Sequence, residues 1–179
     1  MAERMVEIPH RFCHPVVYKK GTIISVVRDK TTDLRVPFLA DILYMEGLTD
    51  RFPPDHAARD IPVMLNQWTS IKEILADKFE QRQLNGAEEE MRFGIAFAIQ
   101  WIHWMNGKTV DMENIQHFDQ WKVHPVNCSE RIQFILSRPV LYHSYVQLCE
   151  LIEELEKQFY KLIAIKGIRK APSAVNKED

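Results

Sequence analysis

Met91 to Met105 is a run of fifteen positions, apolar except for Arg92, Gly94, Gln100 and His103, with the acidic residues Glu88, Glu89 and Glu90 just ahead of it. A helix that is apolar around most of its circumference has to be surrounded by other elements or by lipid. Lipid does not suit this one, because about 20 uncharged residues are needed to span a bilayer and Arg92 lies inside the shorter run. The pattern predicts a central buried helix in a small all-α domain. At about 100° per residue, with Arg92 at zero, His103 falls near 20° and Gln100 near 80°, so the three polar side chains share one narrow strip.

The rest of the chain reads as elements wrapped around this helix. Leu39, Ile42 and Leu43 at helical spacing after Pro37 predict a short helix over 38–46, stopped by Gly47. Residues 51–60, with Pro53-Pro54, read as a loop. Asp60 ahead of Pro62 marks the start of the next helix, which carries Met64, Trp68, Ile71, Leu75 and Phe79 and should end before Asn85-Gly86. One short helix is expected around Met112 to Phe118. Asn127 and Glu130 then have the spacing of a capping box for a helix through Ile132 and Leu136. Pro139 interrupts it and opens the last helix, which runs to about Lys166.

That last helix is the most regular. Leu141, Tyr145, Leu148, Ile152, Leu155, Phe159 and Leu162 step four and three alternately, a heptad seam. In a chain of this size the seam is expected to pack on its own core before it packs on a second copy, so monomer and homodimer both stay open. His143, Gln147, Glu150, Glu154, Lys157 and Lys161 form the opposite, solvent face, with Glu153 and Lys157 placed as a favourable pair. In residues 1–33, Val16 to Tyr18 and Thr22 to Val27 flank Lys19-Lys20-Gly21 as the arms of a short N-terminal β-hairpin would; the alternative is irregular chain. The organisation expected is an arm or hairpin over 1–33, a bundle of about five to seven helices over 34–166, and a disordered tail over 167–179.

The 179 residues suit one domain with a real core, and 46% hydrophobic against 27% charged composition argues against extended disorder. A net charge of −2 gives no global field toward nucleic acid or an anionic membrane. The charge is uneven, with seven Lys/Arg against fourteen Asp/Glu in residues 36–120 and mildly basic ends. Cys13, Cys128 and Cys149 form no CxxC pair and suit reduced thiols, and no segment reads as a secretory signal or membrane span, so a cytoplasmic location is expected.

Pro125-Val126-Asn127-Cys128-Ser129-Glu130-Arg131-Ile132, with Phe134-Ile135, Arg138-Pro139, Tyr142-His143-Ser144-Tyr145 and Gln147-Leu148, resembles the C-terminal half of the YpoC-like proteins of Gram-positive bacteria. The resemblance extends back through Trp104 and Trp101 to Pro37-Phe38, covering roughly residues 34–166. It implies a small cytoplasmic helical protein of a family without an assigned activity, and it supplies no catalytic residues to carry over.

Candidate chemistry is sparse. His103 and His143 are preceded at the third position by Gln100 and Val140, so the paired Glu-x-x-His motif of a di-iron bundle is absent. Cys13-His14 with His124 and Cys128 lacks ordinary zinc spacing, and no metal, cofactor or catalytic residue is assigned. Glu150, Glu153 and Glu156 lack the second acidic pair that a helical nucleotide pyrophosphatase needs. Arg92, Gln100 and His103 are candidate binding residues if their strip lines a cleft; the plainer expectation is the solvent edge of a core helix. Arg131 and Arg138, on one helix, are candidates for gripping a phosphate or carboxylate, against the plainer reading of internal ion pairs. Lys157, Lys161, Lys166, Arg169 and Lys170 give the last helix a basic end.

Three functions follow in order of preference. The first is a non-enzymatic protein-interaction protein, an adaptor or scaffold, with an exposed apolar patch on the last helix pair. The second is a nucleic-acid accessory protein that uses the basic helix end. The third is a small hydrolase with a His/Arg cleft.

Overall fold

A computed structural model describes residues 3–170, with side chains through Lys166. The described chain holds two strands, β1 (Arg4–Glu7) and β2 (Ile23–Val26), and five α-helices, α1 (Leu39–Met45), α2 (Ala57–Glu80), α3 (Ala87–Met105), α4 (Cys128–Ser137) and α5 (Tyr142–Lys170). Three 3-10 stretches, His10–Phe12, Pro53–His56 and Met112–Gln120, connect them. This is a mostly helical bundle with a short antiparallel hairpin at its N-terminal end.

The centre is α3, as its sequence requires. Ile95, Ala98, Ile99, Trp101 and Ile102 are fully buried, and the helix packs mainly against α2 and α5. Against α2 the approach is close because Gly94 has no side chain: a Cβ there would stand 2.3 Å from Cζ3 of Trp68 and 3.0 Å from Cδ2 of Leu148. Against α5, Trp101 stacks on Phe97 with ring centroids 5.1 Å apart and meets the edge of Phe159. The heptad seam of α5 is internal, with Leu148, Ile152 and Leu155 at 0–1% exposure; Leu141, at its start, is left outside. Glu153 turns away from Lys157 to pair with Lys72 of α2 at 3.0 Å.

The structure corrects several sequence boundaries. Residues 51–60 are not a loop throughout: the 3-10 turn Pro53–His56 runs directly into α2, and the Ala57 N–H bonds the Pro54 carbonyl. Pro62 therefore sits inside the helix. The carbonyl it leaves without a donor belongs to Ala58, an exposed residue, where water can satisfy it. Asp60 does not cap the helix. It is buried in the first turn and paired with Arg51 and Arg59. The helix does stop before Asn85-Gly86, as expected: Arg82 adopts a left-handed φ of 54° and Gln83 donates back to the Lys78 carbonyl. At α1 the stop is as the sequence indicates, with Gly47 at φ 64° and Leu48 donating to the Leu43 carbonyl.

The strand over 23–26 pairs with 4–7, in register Arg4 with Val26 and Glu7 with Ile23, and not with 16–18. His14 and Tyr18 instead close a tight turn of their own, leaving the earlier residues to fill the strand. Val6, Ile8, Phe12, Val17 and Tyr18 of this arm join the same hydrophobic core as the helices. Residues 167–170, expected to begin a disordered tail, instead continue α5, and the rest of that tail, 171–179, lies outside the described residues.

The start of α4 is capped from a distance. Asn127, at φ 52°, makes no side-chain cap bond. The Asp119 carboxylate accepts from the N–H groups of Cys128 at 2.8 Å and Ser129 at 3.2 Å, and the Ser129 hydroxyl accepts in return from the Asp119 N–H. Asp119→Ala is expected to cost about 1–2 kcal/mol in urea denaturation, whereas Asn127→Gly, which suits a positive φ, is expected to stay within about 0.5 kcal/mol. Equal losses from the two would return the cap to Asn127.

Candidate functional site

Of the strip on α3, Gln100 and His103 face neither water nor a cleft. Gln100 and His103 are 2% and 1% exposed. This overturns the solvent-edge expectation, because two polar side chains here meet polar partners inside the core. The partner of Gln100 is Asp41 of α1, itself fully buried. Gln100 Nε2 donates to Asp41 Oδ2 at 3.0 Å, the Trp104 indole donates to the same carboxylate at 3.1 Å, and the Val110 N–H donates to Oδ1 at 2.9 Å. Three donors thus converge on one carboxylate, which burial nonetheless pushes up to a pKa of about 6 against these bonds.

His103 belongs to the same knot. Its Nδ1 lies 2.7 Å from the Ile99 carbonyl and its Nε2 accepts from the Asp111 N–H at 3.0 Å, an arrangement that needs the neutral, Nδ1-protonated ring. The ring is boxed by the edges of Phe118 and Trp121. Burial holds its pKa down at about 4, outweighing the carbonyl contacts. From the arm, Arg11 closes the knot, donating to the Val110 carbonyl at 2.9 Å and to Thr109 Oγ1 at 3.3 Å. Arg92 stands apart: it is half-buried, donates to the Val17 carbonyl at 3.4 Å and pairs with Glu89 at 3.6 Å.

Asp41 is the residue that sequence reading misses. Placed in the first turn of an apolar-spaced helix, it reads as an ordinary dipole-favouring acid. Its environment sets it apart, and that environment comes from residues about sixty positions on.

Arg131 and Arg138 are not brought together. Arg131 is anchored internally, to Gln147 Oε1 at 3.1 Å and Glu154 Oε1 at 2.8 Å. Arg138 is the exposed residue that ends α4. The groove around Arg131, about 520 Å³, also carries Glu130, Glu150 and Glu154, a poor setting for an anion. Cys128 is buried, its thiol pushed up to about 12 by burial and by Asp119, so it holds no thiolate near neutrality. Among the described residues no three His, Cys, Asp or Glu side chains gather at metal-binding distance, and no helix is long and apolar enough to cross a membrane. Lys157, Lys161 and Lys166 are exposed on α5.

An apolar concavity lies elsewhere. Where the start of α2 meets the ends of α3 and α5, Pro54, Ala57, Ala58, Met105, Leu162 and Ile163 line an open groove of about 570 Å³. Trp104 and Phe159 also contribute to it, and Asp55 and Lys166 supply its charged groups. Trp104 connects this groove to the buried knot, since its indole nitrogen is bonded to Asp41. The knot itself does not open onto it.

The profile of a family described as YpoC-like protein matches residues 58–167, that is α2 through most of α5. A curated relative, "Uncharacterized protein YpoC" of Bacillus subtilis (strain 168), is 29% identical over 147 residues, covering 79% of this chain and 89% of its own. No solved structure matches.

Proposed function

For this chain, which belongs to the YpoC-like family, we propose a non-enzymatic role as a protein-interaction protein, an adaptor or scaffold that holds an amphipathic segment of a partner in the groove between α2 and α5. The observation that carries this reading is the groove itself: about 570 Å³ of apolar concavity bordered by Ala57 and Ala58, whose small side chains let a partner's backbone come near. The buried titratable pair Asp41 and His103 is fully bonded and lines none of the grooves described above, so it supports a structural role over a hydrolase.

Ala58 is exposed, which makes it the position to test. A partner is first identified by crosslinking in the native cell and then measured with purified components. Ala58→Glu is expected to weaken that complex at least about tenfold while leaving the melting curve unchanged, because a carboxylate desolvated against Met105, Leu162 and Ile163 has no cation to meet except Lys166. Undiminished binding by the Ala58→Glu protein would remove the groove from the interface.

A further inference from the structure

At the opposite end of the α2–α5 pair, Ala76, Phe79, Glu80, Tyr142 and Tyr145 line a second open pocket, of about 510 Å³. Its walls are aromatic. Phe79 stacks on Tyr145 with centroids 5.0 Å apart and meets the edge of Tyr142 at 5.7 Å, and the two tyrosines lie 6.1 Å apart. Tyr145 is fixed from behind, its hydroxyl donating to the Lys72 carbonyl at 3.3 Å, while Tyr142 remains 62% exposed.

Two features of this pocket favour positive charge. Aromatic faces present negative quadrupole density to a ligand. Glu80 stands on the lining, and Asp77 and Glu73 are exposed one and two turns before it; none of the three has an ion pair among the described residues. The helix dipoles do not decide the sign, because the C-terminus of α2 and the first turn of α5 both border the pocket. The protein's own cations do not fill it. Lys72 and Lys78 are committed to Glu153 and Glu90, and the cations that lie over rings among the described residues, Arg11, Arg92 and Lys108, sit on Phe12, Phe93 and Trp121.

We propose that this pocket receives a basic side chain, the guanidinium of an arginine or the ammonium of a lysine, presented by a partner protein. The inference rests on the interaction reading only in that a protein carries the cation. The pocket's preference is a property of its own residues. It adds to the apolar groove a second, charge-selective contact roughly 30 Å away, the helical rise from Ala57 to Phe79 taken at about 1.5 Å per residue.

The test is a titration of the full chain, labelled on Tyr and Phe rings, with N-acetylarginine amide followed by NMR, with N-acetylcitrulline amide as the uncharged equivalent. The arginine compound is expected to shift the ring signals of Phe79, Tyr142 and Tyr145, and the citrulline compound to bind at least about fivefold more weakly. Tyr142→Leu keeps apolar bulk at an exposed position and should lose that cation preference, and Glu80→Gln should weaken arginine binding about threefold or more. Ala58→Glu should leave the titration unchanged, so failure of the groove and failure of the pocket read out separately. Equal binding of the charged and uncharged compounds, or no ring shifts with arginine at all, would overturn the proposal.

Discussion

Asp41→Leu is expected to lower the free energy of unfolding at pH 7 by about 2–4 kcal/mol, read as a fall in the urea midpoint at unchanged slope. Three buried donors, from Gln100, Trp104 and Val110, lose their acceptor, and each orphaned group costs about 1–3 kcal/mol. Against this stands the relief of a buried negative charge: with the Asp41 pKa raised from 3.8 to about 6, its ionisation at neutral pH already costs the fold about 3 kcal/mol. Asp41→Asn is expected to fall between, because an amide keeps one acceptor and turns its own N–H groups toward donors. A leucine variant as stable as the parent would show that the donors find other partners.

The pH dependence of the same variants is sharper. A carboxyl with a raised folded pKa contributes stability that is fully present below about pH 4 and is lost as pH rises through 6. His103, lowered from 6.5 to about 4, contributes stability that is present above 6.5 and is lost as pH falls through 4. Near pH 5 the folded knot holds one proton, on Asp41, and the unfolded chain also holds one, on His103. The two slopes cancel, so this pair leaves the stability of the parent nearly flat between pH 4 and 6. Removing Asp41 uncovers His103, and the variant should lose about 1.4 kcal/mol per unit as the pH falls across that window. Urea midpoints at pH 4, 5 and 6 decide it; a variant as flat as its parent would mean that the two groups do not titrate in opposite senses.

Gly94→Ala has the second large effect. Alanine ordinarily improves a helix interior by about 1 kcal/mol over glycine. Here the added methyl would lie 2.3 Å from Trp68, a side chain 3% exposed and packed between helices, so α2 and α3 must separate or the indole must leave its place. Overpacking of this kind outweighs the propensity gain and leaves a net loss of about 1–3 kcal/mol. Trp68→Leu makes room, and the double variant should be more stable than the two single losses predict by at least about 1 kcal/mol. Additive losses would locate the strain elsewhere.

Where the sequence speaks through periodicity, it places elements well. The apolar run of α3 and the stepping of α5 need only their own neighbours to be read, and Gly47 needs only its own φ. Where an element depends on a distant residue, local pattern misleads. Asn127 has the spacing of a capping box, yet Asp119 reaches the helix N-terminus first. Pro62 looks like a helix start, yet a 3-10 turn feeds α2 from ahead of it. Helical spacing alone places Gln100 and His103 on one shared strip of α3, but a polar strip suits water and a buried acceptor equally. The choice was made by Asp41, separated from Gln100 by 59 positions. Gly94 is a similar case, because the residue that needs it to be a glycine is on another helix.

The Arg11 contact has a consequence for synthesis on the ribosome. Its acceptor, the Val110 carbonyl, is 99 residues further along the chain. At the usual elongation rates of 5–20 residues per second, the arm leaves the exit tunnel roughly 5–20 s before that carbonyl does. During that interval Phe12, fully buried in the finished protein, has only Phe38 and the first helices to cover it. The N-terminal segment is thus made first and held by its Arg11 bond only later, and the interval before Val110 emerges is when its apolar face is most open to chaperones.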